Sequence, residues 1–118
     1  MDKDFIFLNM REKDFNWKNF IKDSKIKHKN NFNEISSWDW EKLLINNKKL
    51  IPYYLSNVKN KDIRMLCNLL LDNYNKTLVN MYTSFNFWSN LNNEDWHYIK
   101  ESNITIFNEI STYKMLSL

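Results

Sequence analysis

The fold is decided by the segment DIRMLCNLLLDNYNKTLVNMYTSF, which spans residues 62–85. Its apolar side chains recur at spacings of three and four residues, the pattern of one face of an amphipathic helix. The members of this stripe are Ile63, Leu66, Cys67, Leu70, Tyr74, Leu78, Met81 and Phe85. Because Leu69, Leu71, Val79 and Tyr82 widen the stripe, we predict a long central apolar helix with Asp62 as its N-cap.

Helical patterns also flank this segment. We predict further helices over residues 14–26, 36–50, 52–58 and 93–113, and a polar loop over residues 25–33. Ser36, followed three residues later by Asp39, forms a variant of the capping box, so a helix should begin there. Pro52 disfavours helical backbone at Ile51 and is well placed to begin the next, shorter helix.

The predicted fold class is all-α, a compact bundle of four to five helices that forms one domain over residues 1–118. An α+β fold is the alternative, since the β-prone runs Phe5–Leu8 and Ile104–Phe107 could pair as a small edge sheet. The chain contains no glycine. Tight hairpins, glycine-rich phosphate loops and the glycine nucleophile elbow are therefore disfavoured or excluded.

Residue usage reflects the gene as well as the protein. Glycine, alanine and glutamine are absent, while asparagine, lysine and isoleucine are abundant. This bias is typical of a gene rich in A and T bases. Tryptophan, whose codon is G-rich, is nevertheless present five times. We infer that the tryptophans were retained because they have a use.

Cellular location is predicted from what the sequence lacks. Phe5–Leu8 is too short for the apolar part of a signal peptide, and no segment has the roughly 18 apolar residues of a membrane span. Cys67 is the sole cysteine, so no disulfide can form within the chain. We expect a soluble, cytoplasmic protein that does not bind a membrane.

Side chains that could perform catalysis or bind metal are few. Glu94, His97 and Glu101 share one helix face, but a metal site would need further ligands, and the only other histidine is His28. Cys67 lies on the apolar stripe, where a thiol is buried and inert. We expect no catalytic residue, metal or cofactor, and therefore a protein that is not an enzyme.

Aromatic residues are the strongest indication of an interaction surface. On a helix whose inner stripe contains Trp40, Leu43 and Leu44, Trp38 points away from that stripe, because successive residues turn by about 100°. Exposed tryptophan and tyrosine are typical of the centres of protein interfaces. The candidate interface residues are Trp38, Tyr53, Tyr54, Phe87 and Trp88. Burial of the same rings in the core is the competing interpretation.

Lysine clusters give a second functional hypothesis. Lys25, Lys27, Lys29, Lys48 and Lys49 could contact the phosphates of a nucleic acid. Arginine performs most bidentate base recognition, however, and the chain has only Arg11 and Arg64. A nucleic-acid-binding accessory protein is therefore the alternative.

The profile as a whole is that of a small accessory protein encoded by a mobile element or a virus. We expect a protein-binding domain that inhibits its partner stoichiometrically by covering an active or binding site, as an immunity protein covers a toxin or a viral protein a host factor. The net charge of +3 does not suit an inhibitor of a basic nuclease, which should be acidic.

Overall fold

Helices dominate the chain. The computed structural model describes Ile26, Lys29 and residues 31–116, of which 78% are helical and none forms a strand. The all-α prediction is confirmed. The predicted helix over residues 14–26, apart from Ile26, and the predicted strand Phe5–Leu8 lie outside the described residues.

Backbone proximity divides the chain at Lys61–Asp62 into two units. The prediction of one domain over residues 1–118 stays a prediction. The described elements of the first unit are a 3₁₀ turn Phe32–Glu34, helix α1 Ser37–Asn46, a 3₁₀ turn Lys48–Leu50 and helix α2 Ile51–Asn57. Those of the second unit are α3 Ile63–Asp72, α4 Lys76–Ser84, a 3₁₀ turn Phe87–Asn90, α5 Asn93–Ser102 and α6 Ile104–Leu116.

The boundaries of α1 follow from local side-chain chemistry. The Ser36 hydroxyl accepts a hydrogen bond from the backbone N–H of Asp39 at 3.2 Å, so the predicted helix start is confirmed. The helix ends at Asn46, before the predicted Leu50, because the backbone of Asn47 is not helical. Pro52 lies in the first turn of α2, where its missing N–H breaks no helical hydrogen bond.

Aromatic rings fill the core of the first unit. Trp40 donates its indole N–H to the carbonyl of Phe32 at 3.1 Å. The rings of Phe32 and Trp40 meet edge to face at a centroid distance of 5.5 Å, and those of Trp40 and Tyr54 at 5.1 Å. Tyr53 packs edge to face against Phe32 at 5.9 Å. These contacts hold the 3₁₀ turn, α1 and α2 together.

The described part of the chain contains six α-helices, so the predicted count of four to five was wrong. One reason is that the predicted long central helix is divided into α3 and α4. The Asn75 side chain accepts a hydrogen bond from the Leu78 N–H at 2.8 Å and thereby caps a new helix. Asn73, in non-helical backbone, ends α3. Asparagine favours such positions because its side chain competes for backbone hydrogen bonds.

The second division separates α5 from α6 at Asn103. Its side chain accepts a hydrogen bond from the Ile106 N–H at 3.1 Å, which caps α6. The segment Ile104–Phe107, a strand in the α+β alternative, is therefore the first turn of a helix. That alternative was wrong for this segment because the cap fixes helical backbone where the β-branched residues alone favour a strand.

The core of the second unit lies between α3 and α5, with α4 and α6 adding to it. Leu66, Cys67, Leu70 and Ile99 are completely buried. Tyr82 of α4 donates its hydroxyl hydrogen to the Leu66 carbonyl of α3 at 2.6 Å. The Trp88 ring stacks on Trp96 and on Tyr113, with centroids at 6.0 and 4.8 Å. The apolar stripe identified in the sequence thus supplies much of this core.

A left-handed backbone conformation occurs at Asn86, between α4 and the following 3₁₀ turn. Its φ is 57°, and among the described residues it is the one with a positive φ. Glycine adopts this conformation at little cost, and asparagine is the next best residue. In a chain without glycine, asparagine takes the position that glycine usually occupies.

We predict that Asn86→Ala lowers the free energy of unfolding by about 1 kcal/mol, because alanine has the same Cβ as asparagine but lacks the short polar side chain that makes left-handed backbone tolerable. The free energy of unfolding of Asn86→Gly should stay within about 0.3 kcal/mol of that of the unmodified protein, because glycine adopts left-handed backbone at little cost. Urea unfolding monitored by fluorescence measures both. Asn80→Ala, at an exposed position inside α4, is the control and should not destabilise. Equal effects of Asn86→Ala and Asn86→Gly would contradict the argument.

Candidate protein-binding surface

Helix α1 presents a large aromatic ring on the side opposite its buried stripe. Trp40 and Leu44 are buried, whereas the Trp38 side chain is 65% exposed. Counting 100° per residue, Trp38 points about 200° away from Trp40. The predicted orientation of Trp38 is therefore confirmed.

Two neighbours of Trp38 extend the exposed surface along the helix. Ile45, two turns further on and about 10 Å along the axis, is 50% exposed. The ammonium of Lys42 lies 4.8 Å from the centroid of the Trp38 ring, within the range of a cation–π contact. We call Trp38, Lys42 and Ile45 the Trp38 surface. Lys42 and Ile45 were not among the predicted interface residues, although their i+4 and i+7 spacing from Trp38 could be read from the sequence.

The other four candidate interface residues belong to the cores of their own units. Tyr53 and Tyr54 are buried in the first unit, where they pack on Phe32 and Trp40. Phe87 and Trp88 are buried in the second unit. They meet edge to face at 5.3 Å, and the Trp88 N–H donates to the Thr83 hydroxyl at 2.8 Å. Of the five candidates, Trp38 is the one whose ring is exposed.

The lysines of the nucleic-acid hypothesis are only partly described. Lys25 and Lys27 lie outside the described residues, and Lys29 is half-buried. Lys48 and Lys49 are exposed on the 3₁₀ turn that follows α1. Lys48 and Lys49 are therefore basic residues that follow the Trp38 surface closely in sequence.

Cys67 is completely buried on α3. Burial raises the pKa of its thiol to about 12, and the negative charge of Asp95 adds to the rise, although Arg64 opposes it. Because the thiolate is the reactive form, this environment suppresses nucleophilic chemistry. The prediction that Cys67 is a core residue is confirmed.

A polar cluster beside Cys67 connects α3 to α5. The Arg64 guanidinium lies 4.0 Å from the centroid of the Tyr98 ring and 3.7 Å from the Asp95 carboxylate. Tyr98 in turn donates its hydroxyl hydrogen to the side-chain oxygen of Asn68. Asp95 also forms a reciprocal capping box with Asn92 at the start of α5. These contacts are structural, since each side chain contacts another side chain of α3 or α5 or caps the start of α5.

His97 and Glu101 form an exposed pair on α5. The imidazole Nε2 and a Glu101 carboxylate oxygen are 3.0 Å apart, and both side chains are about two-thirds exposed. In the described part of the chain, no group of three or more His, Cys, Asp and Glu side chains is placed to hold a metal ion. The pair has the geometry of a surface i,i+4 contact.

Among the helices of residues 31–116, none has the length and apolar character needed to cross a membrane.

Comparison with known proteins assigns the chain to no family. It matches no protein-family model, and it has no significant similarity to a curated protein or to a solved structure.

We predict that Cys67 reacts with a thiol reagent at pH 8 more than about a hundredfold more slowly in the native protein than in guanidinium chloride. Burial denies the reagent access, and the raised pKa leaves little thiolate. Since Cys67 is the sole cysteine, absorbance of the released thiol product reports this residue alone. Rapid native labelling would contradict its placement in the core.

We also predict opposite roles for the two tryptophans of α1. Trp38→Ala should leave the free energy of unfolding within about 0.5 kcal/mol, as exposed substitutions usually do. Trp40→Ala should cost about 3–5 kcal/mol, because it empties a buried ring site and removes the hydrogen bond to Phe32. Chemical unfolding measures both. Similar losses for the two variants would mean that Trp38 is packed in the core.

Proposed function

We propose that the protein is a protein-binding domain that inhibits its partner stoichiometrically, by placing the Trp38 surface over an active or binding site. The observation that carries the proposal is the exposure of Trp38 and Ile45 on one face of α1. Exposed large apolar residues are common singly, but two at i and i+7 on one face match the spacing of a helix that docks in a groove.

The energetics favour Trp38 as the centre of such an interface. Tryptophan is the residue most enriched at interface hot spots, since it buries a large rigid area at a low cost in side-chain entropy. The Lys42 ammonium lies 4.8 Å from the ring centroid, a cation–π contact worth about 0.5–1 kcal/mol at an exposed site. Ile45 supplies a second apolar group about 10 Å along the same face.

The charge of the first unit indicates the kind of partner. Residues 1–61 contain thirteen Lys and Arg and eight Asp and Glu, whereas residues 62–118 contain four and six, so the net charges are +5 and −2. Lys42 lies on the Trp38 surface, and Lys48 and Lys49 follow it on the next turn. We propose a partner with an apolar groove rimmed by carboxylates, since opposite charge accelerates association and excludes basic proteins.

Inhibition in this proposal is steric and requires no chemistry from the chain. A standard interface buries about 1,600 Å² in total, and a domain of this size can supply half of that area. A toxin encoded near the gene or a host factor would both satisfy the proposal. The nucleic-acid alternative differs in its salt dependence, because each phosphate contact releases a counterion.

We predict that immobilised protein retains one partner from an extract of the source cells, and that Trp38→Ala and Ile45→Ala lose it. With the purified partner, Trp38→Ala should weaken binding about thirtyfold, equivalent to a hot spot of about 2 kcal/mol. Isothermal titration calorimetry measures this loss. One equivalent of the unmodified protein should abolish the partner's activity.

Met115→Ala is the matched control, because it also removes an exposed apolar side chain, but from α6 of the second unit. It should retain the partner fully. Equal retention by Trp38→Ala would contradict the proposal. Retention of nucleic acid that is lost between about 50 and 200 mM salt would favour the nucleic-acid alternative.

A further inference from the structure

The second unit contains an open cleft of about 350 Å³ between α4 and α6, a size at the lower end of small-molecule sites. One wall is apolar and consists of Val79, Ile110 and the ring of Tyr113. Val79 and Ile110 are buried, and Tyr113 stacks on Trp88 with an interplanar angle of 15°. This wall is held in place by the core behind it.

The polar part of the cleft contains two opposite charges. Glu109 of α6 and Lys76 of α4 both line it and are both exposed. Among the described residues, the ion pairs are Arg64–Asp95 and His97–Glu101. Neither of them includes Lys76 or Glu109. The Glu109 carboxylate near the Tyr74 hydroxyl raises the pKa of that phenol to about 12.

We propose that this cleft binds a free α-amino acid with an apolar side chain. The ammonium of the ligand would lie against Glu109, its carboxylate against Lys76, and its side chain against Val79, Ile110 and Tyr113. A ligand with a single charge fits less well, because an anion meets the Glu109 carboxylate and a cation meets the Lys76 ammonium. A zwitterion satisfies both groups and also covers the apolar wall.

This site is independent of the proposed inhibitory function, since it uses residues 74–113 and none of the Trp38 surface. The two proposals can therefore fail separately. Loss of amino-acid binding leaves the Trp38→Ala result unaffected, and loss of partner binding leaves the cleft unaffected.

The test is a titration of the ¹⁵N-labelled full chain with L-phenylalanine, followed by amide chemical shifts. Shifts should be confined to the residues around the cleft, with a Kd on the order of 1 mM, as expected for so small a ligand. L-Phenylalaninamide lacks the carboxylate and N-acetyl-L-phenylalanine lacks the ammonium. Each should bind about two- to fivefold more weakly, within the range for one exposed ion pair. These analogues also resemble the two ends of a peptide, so they distinguish a free amino acid from a chain terminus.

Two substitutions assign the contacts. In Glu109→Gln, L-phenylalanine and its N-acetyl form should bind alike, and in Lys76→Gln, L-phenylalanine and its amide should bind alike. Glu101→Gln and Lys100→Gln remove exposed charges of α5 outside the cleft and should retain the full preference for the zwitterion. The amide spectrum of each variant confirms that it folds. Absence of shifts up to about 20 mM, well above the expected Kd, or equal binding of all three compounds, would overturn the proposal.

Discussion

Asparagine side-chain oxygens accept backbone N–H groups at the start of three helices of the second unit, and these hydrogen bonds fix where α4, α5 and α6 begin. Asn75 and Asn92 accept the N–H groups of Leu78 and Asp95, and Asn103 accepts that of Ile106. A helix leaves its first four N–H groups without intrahelical partners, so such a cap stabilises a boundary by about 1 kcal/mol. The apolar stripe would permit one long helix. The Asn75 cap and the non-helical backbone at Asn73 divide it into α3 and α4, and the Tyr82 hydroxyl of α4 reaches the Leu66 carbonyl of α3 in the core of the second unit.

The helical class of the fold could be predicted from the sequence because the spacing of apolar residues reports directly which face of a helix is buried. The interruptions could not be located in the same way. In a chain where asparagine is abundant, a capping Asn75 and an exposed helical Asn80 look alike in sequence. The burial of Leu78 and the contact of Tyr82 with Leu66 of α3, which favour a break before α4, are not visible in the spacing of apolar residues. Local propensity is a weak guide wherever tertiary contacts decide between alternatives.

The candidate site shows the same division between local and tertiary information. The orientation of Trp38 follows from the helix period and from Trp40, which is a local argument, and the structure agrees with it. The burial of Tyr53, Tyr54 and Trp88 depends on rings distant in sequence that pack against them, which periodicity does not report. In a chain without alanine or glycine, large rings fill the core, so aromatic content alone is a poor indicator of an interface.

The asparagine caps also affect how the protein tolerates mutation. Every asparagine codon becomes a lysine codon by a change of its third base, and lysine has a high helix propensity but no acceptor for a helix N-terminus. Asn75→Lys would therefore remove the acceptor of the Leu78 N–H and destabilise the start of α4 by about 1 kcal/mol. Each of these asparagine-capped helix starts is thus one third-base change away from the loss of its cap.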